Sequence, residues 1–118
     1  MFKFENLDVW RVSLDLFRKV VASTEKLTTR NRMFLSEQAR RAALSISSNI
    51  AEGTGRDGIR ESKHFFNIAK GSAYEVVSIA HVLKQEGLLT SEEFTEWYQL
   101  CDRIAGMLSG LIAKRRSS

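Results

Sequence analysis

Two carboxylates, Glu52 and Glu75, and two histidines, His64 and His81, are where catalysis or metal binding would have to begin. Paired carboxylates can share acid and base roles, or hold a metal ion. A di-metal helical bundle needs Glu-x-x-His on two of its helices. The sole occurrence here is Glu61-Ser62-Lys63-His64, in what reads as the first turn of a helix. Neither histidine stands at ligand spacing from a cysteine or an acid pair. The run Gly53-Thr-Gly-Arg-Asp-Gly58 is glycine-rich but follows a helical pattern rather than a strand, so it reads as a turn and not a phosphate cradle. No GxxxxGK[ST] loop, Gly-x-Ser-x-Gly elbow or Cys-x-x-Cys pair occurs. The residues therefore predict no enzyme, no metal site and no cofactor.

A regular polar stripe is the more informative pattern. Gln38, Arg41, Ser45, Asn49 and Glu52 advance by three or four residues and share one helix face. Their neighbours Ala39, Ala43, Ser47, Ser48 and Ala51 are small, which lets a second helix approach closely. The facing segment offers Gly71-Ser72-Ala73, and Glu75 between Ile68 and Ile79. A carboxylate flanked by isoleucines is expected to be partly buried, and a buried charge needs a partner. Arg41 or the Asn49 amide is the expected partner. Gln38, Arg41, Ser45, Asn49, Glu52, Ser72 and Glu75 are thus predicted to form a structural polar network.

These residues need rods to carry them. The chain has no proline, so nothing obliges a helix to break. Polar or glycine-rich breaks at Thr28–Asn31, Gly53–Gly58 and Gly87 divide it into helices over about 7–27, 32–52, 59–86 and 91–113. Asn6 is the expected N-cap of the first and Gly87 the expected C-terminal cap of the third. Thr90-Ser-Glu-Glu93 reads as a capping box. Apolar residues repeat at Leu7, Trp10, Leu14, Phe17 and Val21, then at Leu35, Ala39, Ala42, Ile46 and Ile50. The third helix repeats at Phe66, Ala69, Ala73, Val76, Ala80 and Leu83, the fourth at Phe94, Tyr98, Cys101, Ala105, Leu108 and Ile112. Such spacing with short loops predicts one all-α domain over 1–118, an antiparallel up-down-up-down four-helix bundle.

The first helix carries more apolar surface than one seam needs. Val9, Val12, Leu16 and Val20 lie beside its first stripe and widen the apolar arc to roughly 200°. They are either the oligomer interface or the mark of a helix deeply buried between two neighbours of its own bundle, and they stand as the candidate interface.

Charge completes the inventory. The 118 residues carry 18 Lys+Arg against 14 Asp+Glu, a net +4, with the excess in residues 1–60 and a basic knot at Lys114-Arg115-Arg116. Such an excess permits nucleic-acid contact. Arg30, Arg32, Arg40, Arg56, Arg60, Lys63, Lys114, Arg115 and Arg116 are the candidate binding residues, while Arg41 is assigned to structure. The lone Cys101 fits a reducing compartment. With no basic-then-apolar leader and no long apolar run, a cytoplasmic location with no membrane partner is expected.

The run Gln38-Ala-Arg-Arg41-Ala-Ala-Leu-Ser45-Ile-Ser-Ser-Asn49-Ile-Ala-Glu-Gly53-Thr-Gly-Arg56 closely resembles the signature of the 23S rRNA intervening-sequence protein family, also called simply four helix bundle proteins. Phe4-Glu-Asn-Leu7-Asp-Val-Trp10, the segment Phe65 to Glu75 and the turn Gly87-Leu88-Leu89 resemble the family's other landmarks. Where family members carry a proline and an acid between helices one and two, this chain has the more basic Thr28-Thr-Arg-Asn-Arg32. The resemblance implies a ring-like homopentamer, in which five copies would pool a charge of about +20, and an inferred role in binding RNA or other nucleic acid. It extends to the accessory variability proteins of diversity-generating retroelements, which implies a second possibility: a scaffold for a reverse transcriptase and its template RNA.

Overall fold

The computed structural model describes residues 1–114. Among them are four long helices, α1 (Asp8–Thr24), α2 (Arg30–Thr54), α3 (Ile59–Gln85) and α4 (Ser91–Lys114), with a short 3-10 turn at Lys3–Asn6 and no strand. Across α2 and α3, Ser45 meets Ser72 while Ser62 reaches back to Gly53. Between α1 with its following turn and α4, Lys19 meets Glu96 and Lys26 meets Glu93. In both pairs one residue number rises as the other falls, so neighbours run antiparallel. The product is a four-helix bundle, a rod of 48 × 21 × 21 Å.

Local chemistry sets the helix ends. Gly87 takes a left-handed φ of 72°, and the Leu88 N–H donates to Leu83 O at 2.8 Å while the Gly87 N–H donates to Lys84 O at 3.0 Å. This paired closure needs a residue without a Cβ penalty at the turn, which glycine supplies. Thr90 and Glu93 form a reciprocal cap: the Glu93 N–H donates to Thr90 Oγ1 at 3.0 Å, and the Thr90 N–H to Glu93 Oε1 at 2.9 Å.

Two ends depart from expectation. Asn6 is not the cap of α1; it closes the 3-10 turn, and Leu7 takes the cap position. The Phe4 ring packs edge-on against Trp10 with centroids 4.9 Å apart, which folds the leading segment into that turn. Nor does α2 stop at Gly53, since it continues to Thr54. Gly53 serves close approach instead: a Cβ there would lie 2.6 Å from Phe66 Cε1.

The core seam follows the expected stripe on α3, where Phe66, Ala69, Ala73, Val76, Ala80 and Leu83 are all buried. On α2, Ala39, Ala42, Ile46 and Ile50 are buried and Leu35 sits at the edge. The other two helices are rotated from the expectation. Val9, Val12, Leu16 and Val20 form the intramolecular core of α1, so they are not a spare face for another subunit. Trp10, Leu14, Phe17 and Val21 are the half-buried ones. Ser13 and Thr24 explain the reversal. Both are buried beside the valines, and each hydroxyl donates to its own helix backbone, Ser13 to Trp10 O and Thr24 to Val20 O. A narrow stripe of small and β-branched residues lets α2 and α4 approach, whereas the wide rings fit only at the rim. On α4, Trp97 and Ile104 are buried and Tyr98 turns outward. The Trp97 indole N–H donates to Ser23 Oγ at 3.2 Å, satisfying the one polar atom of a ring that is 0% exposed.

Candidate nucleic-acid interface

The antiparallel order sorts the candidate cations to opposite ends. Arg56, Arg60 and Lys63 gather around the α2–α3 turn, and α4 finishes at Lys114 on the same end. Arg30 and Arg32 open α2, whose 25 residues place them about 35 Å away along the rod. One continuous basic surface is therefore not formed by all the candidates. Arg115 and Arg116 lie outside the described residues.

Around the α2–α3 turn two open grooves meet. One, of about 770 Å³, has Phe2, Lys3 and Phe4 on one wall and Ser48, Thr54 and Arg56 on the other. The second, of about 320 Å³, shares Lys3 and Arg56 and extends to Ile59 and Ser62. Arg56 is held by two contacts. Its Nη2 lies 2.9 Å from Glu52 Oε2, and its guanidinium sits 4.8 Å from the Phe65 ring centroid. Farther along α3, Lys63, Asn67 and Lys70 line a groove of about 440 Å³ with Ser109 and Ile112 of α4. Lys3 and Lys70 were missed as candidates. The spacing 63, 67, 70 puts Lys70 on the face of Lys63 and was legible in the sequence; the fold-back that brings Lys3 to Arg56 was not.

Arg40 is not a free surface cation. Its Nε donates to Thr24 Oγ1 at 3.0 Å and its Nη2 to Val21 O at 3.4 Å, so it caps the carbonyls at the end of α1. Its neighbour Arg41, assigned to structure, is exposed instead. One residue of helix rotation, about 100°, separates the two roles.

The polar stripe is real in its middle and open at its ends. The Ser45 and Ser72 hydroxyls lie 2.9 Å apart, and Asn49 Nδ2 donates to Ser45 O at 2.8 Å and to Ser45 Oγ at 3.0 Å. Gln38 is exposed, and Glu52 turns to Arg56. Glu75 is exposed, with no hydrogen bond or ion pair to Arg41 or Asn49, which overturns the expected buried pair. Ile68 beside it is itself 39% exposed, so the isoleucines mark the edge of the α2–α3 seam and leave the carboxylate in water.

At the far end, where Arg30 and Arg32 are exposed, two lysines form ion pairs. Lys26 Nζ lies 2.7 Å from Glu93 Oε1 and Lys19 Nζ 2.6 Å from Glu96 Oε2. Partial burial raises the Glu93 carboxyl, but hydrogen bonds from Lys26 and Thr90, with the Lys26 charge, outweigh it and hold the group below its ordinary value. The hydrogen bond to Glu96, and then its charge, raises Lys19. Burial alone pushes the Cys101 thiol up to about 12. Among the described residues no group of three or more His, Cys, Asp or Glu side chains is placed to hold a metal ion, and no helix is long and apolar enough to cross a membrane.

The chain is thus an all-α four-helix bundle with open grooves and a group of cations at the α2–α3 tip. A family model of the 23S rRNA-intervening sequence protein matches residues 5–110, and the chain belongs to that family. A crystal structure from Bacteroides thetaiotaomicron, described as a protein of unknown function from the S23 ribosomal protein family, shares the fold. Its TM-score is 0.81 at 22% identity, over 88% of this chain and 97% of that one. No curated protein matches the sequence.

Proposed function

We propose that the chain is a non-catalytic, oligomeric nucleic-acid-binding protein whose target is RNA. The supporting observation is the gathering of Lys3, Arg56, Arg60, Lys63, Lys70 and Lys114 toward one end, where Lys3, Arg56, Lys63 and Lys70 line open grooves that a phosphate backbone could enter. The name of the family, tied to an insertion in 23S rRNA, fits an RNA setting. Contacts of this kind release counterions, so affinity falls as salt rises. Binding of a labelled RNA should weaken with salt, and Arg60→Ala with Lys63→Ala should flatten the log K against log salt slope by about one per lost contact. Arg30→Ala with Arg32→Ala, at the opposite end, should leave the slope alone. Affinity indifferent to salt would reject the mechanism.

A ring-like homopentamer is part of the same proposal. Its supporting surface is revised from the buried valines to the half-buried Trp10, Leu14, Phe17 and Val21 stripe of α1. Light scattering on wild type and on Leu14→Glu tests it, a monomeric wild type being the adverse result.

A second reading, a protein scaffold in the manner of a reverse-transcriptase accessory subunit, draws support from the α3–α4 groove. Tyr74 and Tyr98, 64% and 48% exposed, flank an apolar hollow of about 230 Å³ floored by Ala73 and Val77. Copurification of a protein that Tyr74→Ala releases would favour it.

A further inference from the structure

Phe2 is 73% exposed, which a phenylalanine held in one position rarely is without a reason. It is not loose. Its backbone N–H donates to Glu5 Oε1 at 2.9 Å, and its ring stacks on Phe4 with centroids 5.9 Å apart and planes 22° from parallel. Phe4 in turn rests on Trp10, which packs against the core. One face of the Phe2 ring is thus occupied by Phe4, while the side chain remains mostly open to water. The ring borders a groove lined also by Lys3, Arg56, Glu52 and Asp57, in which Arg56 Nη2 lies 2.9 Å from Glu52 Oε2.

A braced, exposed ring beside a groove that two cations help to line has the form of a stacking platform. Base–aromatic stacking tolerates any sequence because every base has a π-face, and cations beside the ring take the flanking phosphates. In a duplex those faces are already stacked and unavailable. We propose that the Phe2 groove binds single-stranded RNA, with one base stacked on Phe2 and the adjoining phosphates on Lys3 and Arg56. This rests on the reading that the basic end binds RNA, and adds to it the strandedness and the base contact.

The two tryptophans make the test direct. Trp97 is fully buried, so quenching on ligand addition reports Trp10, which lies behind Phe4. The full chain is titrated with a 12-nucleotide oligo(U), with an abasic strand of equal length, and with a 12-base-pair RNA duplex. Oligo(U) should quench saturably and bind more tightly than the other two. Phe2→Ala should weaken oligo(U) on the order of tenfold to a hundredfold, Phe2→Trp should restore it, and the abasic strand should not distinguish the variants. Equal, salt-dependent binding of oligo(U) and the abasic strand, unmoved by Phe2→Ala, would overturn the stacking site while leaving the charge-based reading intact. Failure of every strand to bind would overturn both. A change of oligomeric state in Phe2→Ala with unchanged RNA affinity would show that the ring meets a second copy, and would overturn the proposal as well.

Discussion

The two tips of the rod are built to opposite rules. At the α3–α4 turn, Lys19 of α1 and Lys26 just beyond it are matched to Glu96 and Glu93 of α4, Gly87 closes α3 and Thr90 opens α4 through reciprocal hydrogen bonds. These groups hold the helices together, while Arg30 and Arg32 at the same end stay exposed. At the α2–α3 turn, the helices are held by shape, with Gly53 admitting Phe66 and the Ser62 hydroxyl donating to Gly53 O at 2.8 Å. Because packing does the holding, Lys3, Arg60 and Lys63 are left for other uses. Closure by sterics ties up no lysine, whereas the other closure ties up two.

Perturbing each tip separately sharpens that contrast. The greatest loss is expected from Trp97→Ala, which empties the core and removes the Ser23 hydrogen bond, at about 3–5 kcal/mol by urea unfolding. The same variant should let Cys101, protected by burial, react with a thiol reagent at neutral pH, whereas the folded wild type should not. Next is Gly53→Ala, about 1–3 kcal/mol, because the new methyl meets the Phe66 ring. Phe66→Leu in the same chain should recover part of it, and purely additive losses would argue against the steric account. Ser62→Ala should cost about 1 kcal/mol. At the charged tip, Glu93→Gln should cost under about 1 kcal/mol at pH 7, and its effect should depend on pH. The Glu93 carboxyl is depressed in the fold, so its contribution is full at neutral pH and fades as pH falls through the folded value. Lys19 is raised, so its smaller contribution fades only as pH climbs through its own folded value.

Which parts were legible follows from this division. The all-helical bundle, the Gly87 closure, the Thr90–Glu93 cap and the α3 seam are local patterns, set by residues within a few positions of one another. The choice between the two stripes of α1 was not local. Both are apolar, and it was settled by the buried Ser13 and Thr24, which a count of hydrophobic residues scores against the stripe that contains them. Arg40 and Arg41 exchanged roles for a related reason: which of two adjacent arginines points at a neighbouring helix depends on a rotation that periodicity fixes only loosely. Glu75 lies in water because flanking isoleucines do not by themselves imply burial, and Ile68 sits at the rim. The cations of the α2–α3 tip were largely legible, and the Phe2 ring was not, since its significance comes from a fold-back that places it beside Arg56.

An elongated body with unlike tips is a vector. Rotation about a single axis leaves the axial component of every copy pointing the same way, so a cyclic assembly of these rods would be a two-faced disc, with one face presenting the grooves and the other the lysine–glutamate pairs beside Arg30 and Arg32. A perpendicular twofold would cancel that direction and place the same chemistry on both sides. The symmetry of whatever these chains build therefore decides whether a long strand meets a single landing side or is offered two.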